Sequence, residues 1–336
     1  MLPRMDSLSL ILDDMRFDGV VFASTVNTAP WAWHLATPGL ACFHIVTQGQ
    51  AWLMRDHEAP ALLEQGDLLV LPGGVPHRIV DRPQTTADIA ALSPHLSRSE
   101  MTPVRHGGGG AECHLISGHA RFDIDMAAPL IQALPTTMLV RGLGVAPPLW
   151  LAIGLQFLAQ EVQARRPAQQ AILNRLGDIL FIECIRDHVE ALPDDADNWL
   201  RALKDRALSA ALGGMHREPC RAWTATDLAQ LACLSRSSFA ERFTAVIGMP
   251  PLTYLTRHRM RLAARQLRHS QLGVSQIALE VGYQSEAAFS QAFKREHGVP
   301  PSIWRQQARA ESAAAGAAAT EQGRDLALGL DEARQA

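Results

Sequence analysis

The sequence predicts an α+β multidomain protein: an N-terminal β-barrel with flanking helices, then an all-α segment built of two helix–turn–helix units. Three observations predict it. The chain has 336 residues, more than one ordinary domain at roughly 150 residues each. Short apolar runs broken by Gly, Pro and Asp occupy the first third, and helical spacing of apolar residues takes over after Pro129. A pattern that starts at Ser235 returns, position for position, 50 residues later.

Composition narrows the class further. Hydrophobic content of 47% and charged content of 19% are enough to build cores and unlike a disordered chain. A net charge of -3 argues against a polyanionic partner until it is divided along the chain. Residues 1–200 carry 13 Lys+Arg against 22 Asp+Glu, residues 201–310 carry 16 against 7, and the last 26 carry 2 against 5. A basic segment behind an acidic front half is the asymmetry of a protein in which one domain meets nucleic acid. No apolar run reaches the roughly 18 residues of a membrane span; Val145 to Ala159 is short and contains two prolines near its start. The start of the chain lacks the basic, apolar and small-residue order of a secretion signal, so a cytoplasmic protein without a membrane partner is expected. The five cysteines, Cys42, Cys113, Cys184, Cys220 and Cys233, form no CxxC pair, which fits a reducing compartment.

Taken in order, the strands expected are Leu40 to Val46, Ala51 to Arg55, Asp67 to Leu71 and His77 to Val80, within a sandwich or small barrel running from about Ser24 to Phe122. Arg105 to Ala111, with four consecutive glycines, reads as a flexible loop. Leu149 to Arg165 and Ala168 to Leu192 carry helical periodicity and end at Pro193-Asp194-Asp195, a hinge. Residues 199–309 are helical throughout, and the Ala-rich tail from Glu311 is expected to fray. The boundaries that follow are 1–125 for the barrel, 126–198 for a helical connector, 199–309 for the helical domain and 310–336 for the tail.

The repeat pairs Ser235-x3-Phe239-x3-Phe243-x4-Gly248-x-Pro250-Pro251-x2-Tyr254 with Ser285-x3-Phe289-x3-Phe293-x4-Gly298-x-Pro300-Pro301-x2-Trp304. Each copy has one grammar. A short helix (Thr226 to Ala232, or Val274 to Val281) leads through a tight turn to a serine that caps a second helix. Two phenylalanines at i, i+4 put one face of that helix in the core. Gly248 or Gly298 ends it, and the prolines stop its continuation. Two helices around a short turn form a helix–turn–helix.

Ala222 to Ala232, Leu234 to Phe239, Arg257-His-Arg-Met-Arg-Leu262, Ile277 to Tyr283 and Ser285 to Phe289 together resemble the signature of AraC/XylS-type transcriptional regulators, over about residues 199–306. The resemblance implies two helix–turn–helix units joined by a linker helix, here Pro251 to His269. It implies recognition helices from about Arg236 to Val246 and from Glu286 to His297, set roughly 34 Å apart so that both reach successive major grooves of double-stranded DNA. By the same resemblance Arg236, Ser237, Ala240 and Glu241, and Glu286, Ala287, Ser290 and Gln291, face base edges. Glu241 could accept from cytosine and Gln291 could pair with adenine, while the alanines offer apolar contact only; Glu241 and Glu286 are equally readable as helix-surface charges or caps. Arg242, Arg257, Lys294 and Arg295 are assigned to phosphates, which position without specifying.

Upstream, Gly66-x5-Pro72-x-Gly74-x2-His77 is similar to the second motif of cupin β-barrels, and Gly39-x4-His44 is a ragged first motif. The N-terminal half thus resembles the cupin-like sensor domains found ahead of this DNA-binding domain. A second histidine and a glutamate expected after His44 are replaced by Val46 and by Gln50 or Ala51. His44 and His77, with Cys113, His34 or His114 as a third donor, leave a divalent metal in the barrel as one reading and hydrogen-bonded barrel histidines as the other. Trp31, Trp33, Phe43 and Trp52 around His44 and His77 either line an effector pocket or fill the barrel. Cys42 and Cys113 would serve an oxidant sensor only if one were exposed and acidified. Met138 to Leu155 and Leu173 to Ile185 are the helices expected to pair protomers. The function implied is a sequence-specific regulator, not an enzyme: a homodimeric activator working with RNA polymerase and answering to a small-molecule, metal or oxidant effector. The alternative is a metal-dependent cupin enzyme with a helical appendage.

Overall fold

The computed structural model describes residues 6–15, 17–96, 103–142, 148–164, 166–193, 195–196 and 198–310. The tail from Glu311, and Asp194 of the expected hinge, lie outside the described residues. The chain forms two compact units, residues 11–205 and residues 1–10 together with 206–336.

The first unit contains β1 (Phe17–Thr28), β2 (Ala32–Leu35), β3 (Ala41–Gln48), β4 (Gln50–Met54), β5 (Ala61–Glu64), β6 (Leu68–Leu71), β7 (His77–Val80), β8 (Ile89–Ala91), β9 (Val104–Gly107), β10 (Glu112–Phe122) and β11 (Met138–Val140). A six-stranded sheet has the order β11-β6-β3-β10-β1-β9, and a five-stranded sheet the order β5-β4-β7-β2-β8. Between them lies one apolar core holding Trp31, Trp33, Leu35, Cys42, Val46, Leu53, Leu63, Leu69, Leu71, Ile79, Cys113 and Leu115. The four strands expected from the sequence are present within two residues at each end. The long pair β1 and β10 was not among them. Their neighbours explain this: the outer face of the six-stranded sheet is covered by helices, so Val20 and Phe22 are as buried as Ala23 and Thr25, and alternation, the usual strand signal, is erased.

Two expectations are corrected here. Arg105 to Ala111 is not a free loop, because β9 pairs in parallel with β1 from Val104 to Gly107. The glycines after it donate to the chain at Thr28 and Ala29, from Gly108 N (2.8 Å), Gly109 N (2.9 Å) and Gly110 N (2.8 Å). Met138 to Leu155 is not one helix either, since β11 pairs with β6 through Met138↔Val70. After the short α1 (Ser7–Met15) at the start of the chain, helix returns in α2 (Ile124–Ala133), α3 (Leu149–Ala164) and α4 (Gln169–Ala191). On α4, Phe181 stacks on Phe122 at 6.2 Å, and Asn174 Oδ1 accepts from Val20 N at 3.2 Å. α3 and α4 thus roof the six-stranded sheet.

The turn glycines of the second barrel motif have a backbone reason. Gly74 sits at φ +61°, and a Cβ there would lie 2.0 Å from Thr37 O and 2.4 Å from Leu40 O. That turn delivers His77 to the start of β7.

The second unit holds α5 (Arg206–Arg217), α6 (Ala225–Leu231), α7 (Arg236–Ile247), α8 (Pro251–His269), α9 (Val274–Glu280), α10 (Glu286–His297) and a last helical stretch over 301–310. Residues 1–10 belong to it, and Ser7 Oγ hydrogen-bonds Ser209 Oγ at 2.6 Å. Local chemistry fixes each end. Thr224 and Asp227 form a reciprocal capping box on α6. Ser235 and Ser285 accept from Ser238 N and Ala288 N to start α7 and α10. Gly248 and Gly298, both at φ +79°, end those helices in the left-handed conformation.

The duplication is imperfect at one point. α6 and α9 are displaced by 49 residues, whereas Ser235 and Ser285 are displaced by 50. The extra residue lies in the second turn, which places Gly282 (φ +87°) opposite Cys233 (φ +54°). A Cβ at Gly282 would stand 2.6 Å from Cys220 O, so the second turn accepts only glycine where the first accepts cysteine.

Gly74→Ala is expected to lower the stability of the first unit by about 3 kcal/mol, because strain and overpacking coincide there. Chemical denaturation followed by tryptophan fluorescence measures it; an unchanged midpoint would contradict the backbone account.

Candidate nucleic-acid interface and effector site

In both copies the second helix divides cleanly into a buried and a wet face. Phe239, Phe243 and Ile247 are buried on α7, and Phe289, Ala292 and Phe293 on α10. The rings form matching clusters. Phe239 meets Phe243 at 5.5 Å and Phe243 meets Tyr254 at 5.9 Å; Phe289 meets Phe293 at 5.7 Å and Phe293 meets Trp304 at 6.0 Å. The side chains left outside are those named from the sequence. Arg236, Ser237, Glu241 and Arg242 are exposed on α7, with Ala240 half-buried; Glu286, Ala287, Gln291, Lys294 and Arg295 are exposed on α10, with Ser290 half-buried. The first turn of α7 therefore offers Arg236 and two serines to an incoming partner and that of α10 offers Glu286 and alanines, with Arg242 on α7 and Lys294 and Arg295 on α10 further along.

The linker α8 runs from Pro251 to His269, the span read from the sequence. Its arginines do different jobs. Arg257 reaches Glu296 of α10 at 3.5 Å, a solvent-accessible pair worth at most about 1 kcal/mol. Arg261 lies over Tyr254 at 6.0 Å and Arg268 over Trp304 at 5.9 Å, again one contact per copy. Arg259 turns inward: Nε donates to Pro219 O and Nη2 to Arg221 O, both at 2.7 Å. It ties the linker to the segment that precedes α6, a role its sequence context did not reveal.

In the first unit the strand period decides which candidates meet. On β3, Cys42 and His44 face the interior and Phe43 faces the opposite way. On β4, Ala51 and Leu53 belong to the core and Trp52 is on the outer face. Phe43 and Trp52 thus do not join Trp31 and Trp33 around the histidines. Trp31 and Trp33 are 1% and 2% exposed and fill the space between the sheets. Trp33 Nε1 donates to Asn27 Oδ1 at 2.7 Å, which satisfies its one polar atom. Phe43 instead packs edge-on against Phe22 at 5.3 Å and borders an apolar cavity of about 30 Å³ beneath Leu158, Gly177, Leu180 and Phe181 of the helical roof.

His44 and His77 do meet. Their Nε2 atoms are 2.7 Å apart, His44 Nδ1 is 2.7 Å from Ser117 Oγ, and His77 Nδ1 is 2.8 Å from Val75 O. Burial holds His44 well below the usual histidine range and brings His77 down to about 4, so both are neutral near pH 7. Neutrality then assigns every proton. A carbonyl only accepts, so His77 Nδ1 carries hydrogen and its Nε2 accepts. His44 Nε2 must donate to it, and the Ser117 hydroxyl donates to His44 Nδ1.

The third donor near these imidazoles is Cys42, not Cys113. Cys42 Sγ is 3.6 Å from His44 Nε2, and the donor atoms of Cys42, His44 and His77 all lie within 4.8 Å of one another. Cys113 stands elsewhere in the core, because β10 pairs Ser117, not Cys113, with His44. The Cys42-x-His44 spacing on a strand was the available signal for this pairing; nothing in the sequence linked Ser117 to His44. Two neutral imidazoles and a thiol suit a borderline-soft ion and lack the carboxylate that a hard one prefers. Both barrel cysteines are buried, and burial pushes the Cys42 thiol far up and the Cys113 thiol to about 12. The exposure and acidity required of a thiol switch are absent at both.

A two-sheet barrel with a helical roof and a duplicated helix–turn–helix unit define a class, a DNA-binding regulator with an attached sensor domain. The comparisons agree. A cupin family signature matches residues 6–190, and a helix-turn-helix domain signature matches residues 228–307. The transcriptional regulator AlkR of Acinetobacter baylyi is 36% identical over 306 residues, covering 90% of this chain and 100% of its own. An AraC-like transcription regulator of Streptomyces lividans is 33% identical over 302 residues, covering 90% and 98%. Among solved structures, the DNA-binding domain of AdpA in complex with a target DNA is 28% identical, covering 32% of this chain and 96% of that one, with a TM-score of 0.31. The chain belongs to the AraC-type family of transcriptional regulators that carry an N-terminal cupin domain.

Arg259→Met is expected to destabilise the helical unit by about 2 kcal/mol, through two lost charged hydrogen bonds, and to leave the salt slope of DNA binding unchanged. A slope reduced by about one would instead make Arg259 a phosphate contact.

Proposed function

We propose that the protein is a sequence-specific activator, held as a homodimer in the cytoplasm, that recruits RNA polymerase and changes its DNA affinity when an effector occupies the cupin domain. One observation carries the reading. α7 and α10 each bury a phenylalanine pair and turn short, polar and cationic side chains outward, and both rest on one linker helix. In this reading Arg236, Ser237, Ala240, Glu241, Glu286, Ala287, Ser290 and Gln291 meet base edges. Arg242, Arg257, Lys294 and Arg295 neutralise phosphates, Arg257 by giving up Glu296. The relatives named transcriptional regulators support the non-enzymatic reading. Among the described residues no helix is long and apolar enough to cross a membrane.

The dimer is proposed on α3. Its buried face carries Leu151, Gly154, Leu158 and Glu161, whereas Leu149, Ile153 and Phe157, spaced i, i+4, i+8, remain 73%, 57% and 43% exposed. Ile179 of α4 is 54% exposed. An apolar stripe on the wet side of a helix pair needs a cover, and a second copy supplies an identical stripe for a two-fold contact.

Three outcomes are expected. Gel shifts on the protein's own upstream DNA should favour one site over scrambled sequence and weaken steeply with salt; equal binding to both DNAs would remove the reading. Gln291→Ala should relax discrimination at one base pair, by about 1–3 kcal/mol, while Arg242→Ala weakens all sequences alike. Ile153→Asp should convert dimer to monomer in sedimentation without altering the circular dichroism spectrum, and a dimer that survives would place the contact elsewhere.

A further inference from the structure

Cys42 and His44 stand on β3 of the six-stranded sheet, and His77 on β7 of the five-stranded sheet. Their three donor atoms converge from both sheets onto one fully buried point. Each imidazole is aimed by a separate partner. His77 is fixed by the Val75 carbonyl, and His44 by the Ser117 hydroxyl directly across from it on β10. Such outer partners are what orient metal-binding histidines and set which ring nitrogen is free.

We propose that Cys42 Sγ, His44 Nε2 and His77 Nε2 form a site for a borderline-soft transition-metal ion, zinc or copper(I), and that this ion is the regulator's effector.

The proton count closes without any other group. The ion displaces two protons: one from the Cys42 thiol, and the one His44 Nε2 shares with His77. The proton that leaves His44 Nε2 is restored to the same ring on Nδ1, and Ser117 rotates to accept there where it had donated. The Ser117 hydrogen itself stays on its oxygen, so the net change is one proton released to solvent per ion bound. His77 already carries its hydrogen on Nδ1 and changes nothing. Ser117 is thus the hinge of the switch: a hydroxyl that serves either tautomer of His44, which a carbonyl or an amide N–H could not do.

The donor set also fits a sensor better than a structural centre. Closed structural zinc sites have four protein ligands; three converge here among the described residues. Tetrahedral zinc, with bonds near 2.0–2.3 Å, holds its ligand atoms roughly 3.3–3.8 Å apart, so the 2.7 Å between the two Nε2 atoms must widen on binding. β3 and β7 are the strands that must move. The other face of β3 carries Phe43, in contact with the cavity under α3 and α4. A shift at the ion is therefore passed through one strand to the helices that hold the proposed dimer stripe. Ion binding stands on the cluster alone; the effector role rests on the regulator reading above.

The test uses the full chain, stripped with a chelator, and zinc chloride as the probe. Competition with a chromophoric chelator should show one zinc per chain, thermal unfolding should shift upward, and cobalt(II) in place of zinc should give a thiolate charge-transfer band. Cys42→Ser should abolish that band and weaken zinc by at least tenfold, with Cys113→Ser behaving as the parent. Ser117→Ala, which keeps all three donors, should weaken zinc by about 10–100-fold and guards against a Cys42 variant that fails to fold. Zinc bound equally by the parent and by Cys42→Ser, or not bound by the parent, overturns the site. Operator affinity that changes at least fivefold between zinc and chelator supports the effector role. Operator affinity that is strong and identical in both overturns that role and leaves the regulator reading intact; no operator preference in either condition counts against the regulator reading itself.

Discussion

The buried face of α8 is the constraint on which the DNA-binding unit depends. Tyr254, Leu255, His258, Met260, Leu262, Ala263, Ala264 and Leu267 are all withdrawn from water on this one helix. α7 rests on its start through Tyr254, and α9 and α10 pack along it. Two recognition helices can act together only if their separation is set by something stiff. A continuous helix with its apolar side buried in both copies provides that stiffness. Arg259 adds two charged hydrogen bonds to the chain before α6 and fixes the linker's rotation as well as its position. Arg259 is thus committed to holding the frame, whereas Arg242 and Arg257 stay exposed at the surface.

The cupin unit is organised by a comparable device at right angles to its strands. A hydrogen bond between two neutral imidazoles joins the sheets in a core otherwise made of Trp31, Trp33 and aliphatic side chains. Buried polar groups are tolerated when every atom has a partner. Here Val75 O and Ser117 complete the set. The same strand that supplies His44 presents Phe43 to the helical roof, so β3 links the interior to the roof, as β1 and β6 also do.

Much of the helical unit was legible because its signals are local. Ser235, Gly248 and the prolines at 250 and 251 act within a few residues of where they stand, and their duplication 50 residues later removes ambiguity. The barrel was less legible. β1 and β10 are buried on both faces over part of their length (Val20, Phe22 and Ala23; Leu115 to Gly118), which interrupts the alternation; the glycine run after Arg105 reads as slack chain until Thr28 and Ala29 accept its amides. Met138 to Val140 is apolar enough for a helix and became a strand because β6 offered an open edge. Within the candidate site, His44 and His77 were visible, but period-two alternation placed Phe43 and Trp52 on outer faces and Cys42 inside.

The sequence by itself determined the two-unit plan, the duplicated helix–turn–helix with its linker from Pro251 to His269, the family, and the split of charge between halves. These depend on spacing, capping and composition, which are properties of neighbouring residues. The tertiary structure alone decided which donor joins His44 and His77, which arginine turns inward, and which α3 residues stay uncovered. Each of those is a choice among residues far apart in the chain. Strand register and helix packing settle it, because a shift of one residue in β3 would exchange Cys42 and His44 for Phe43.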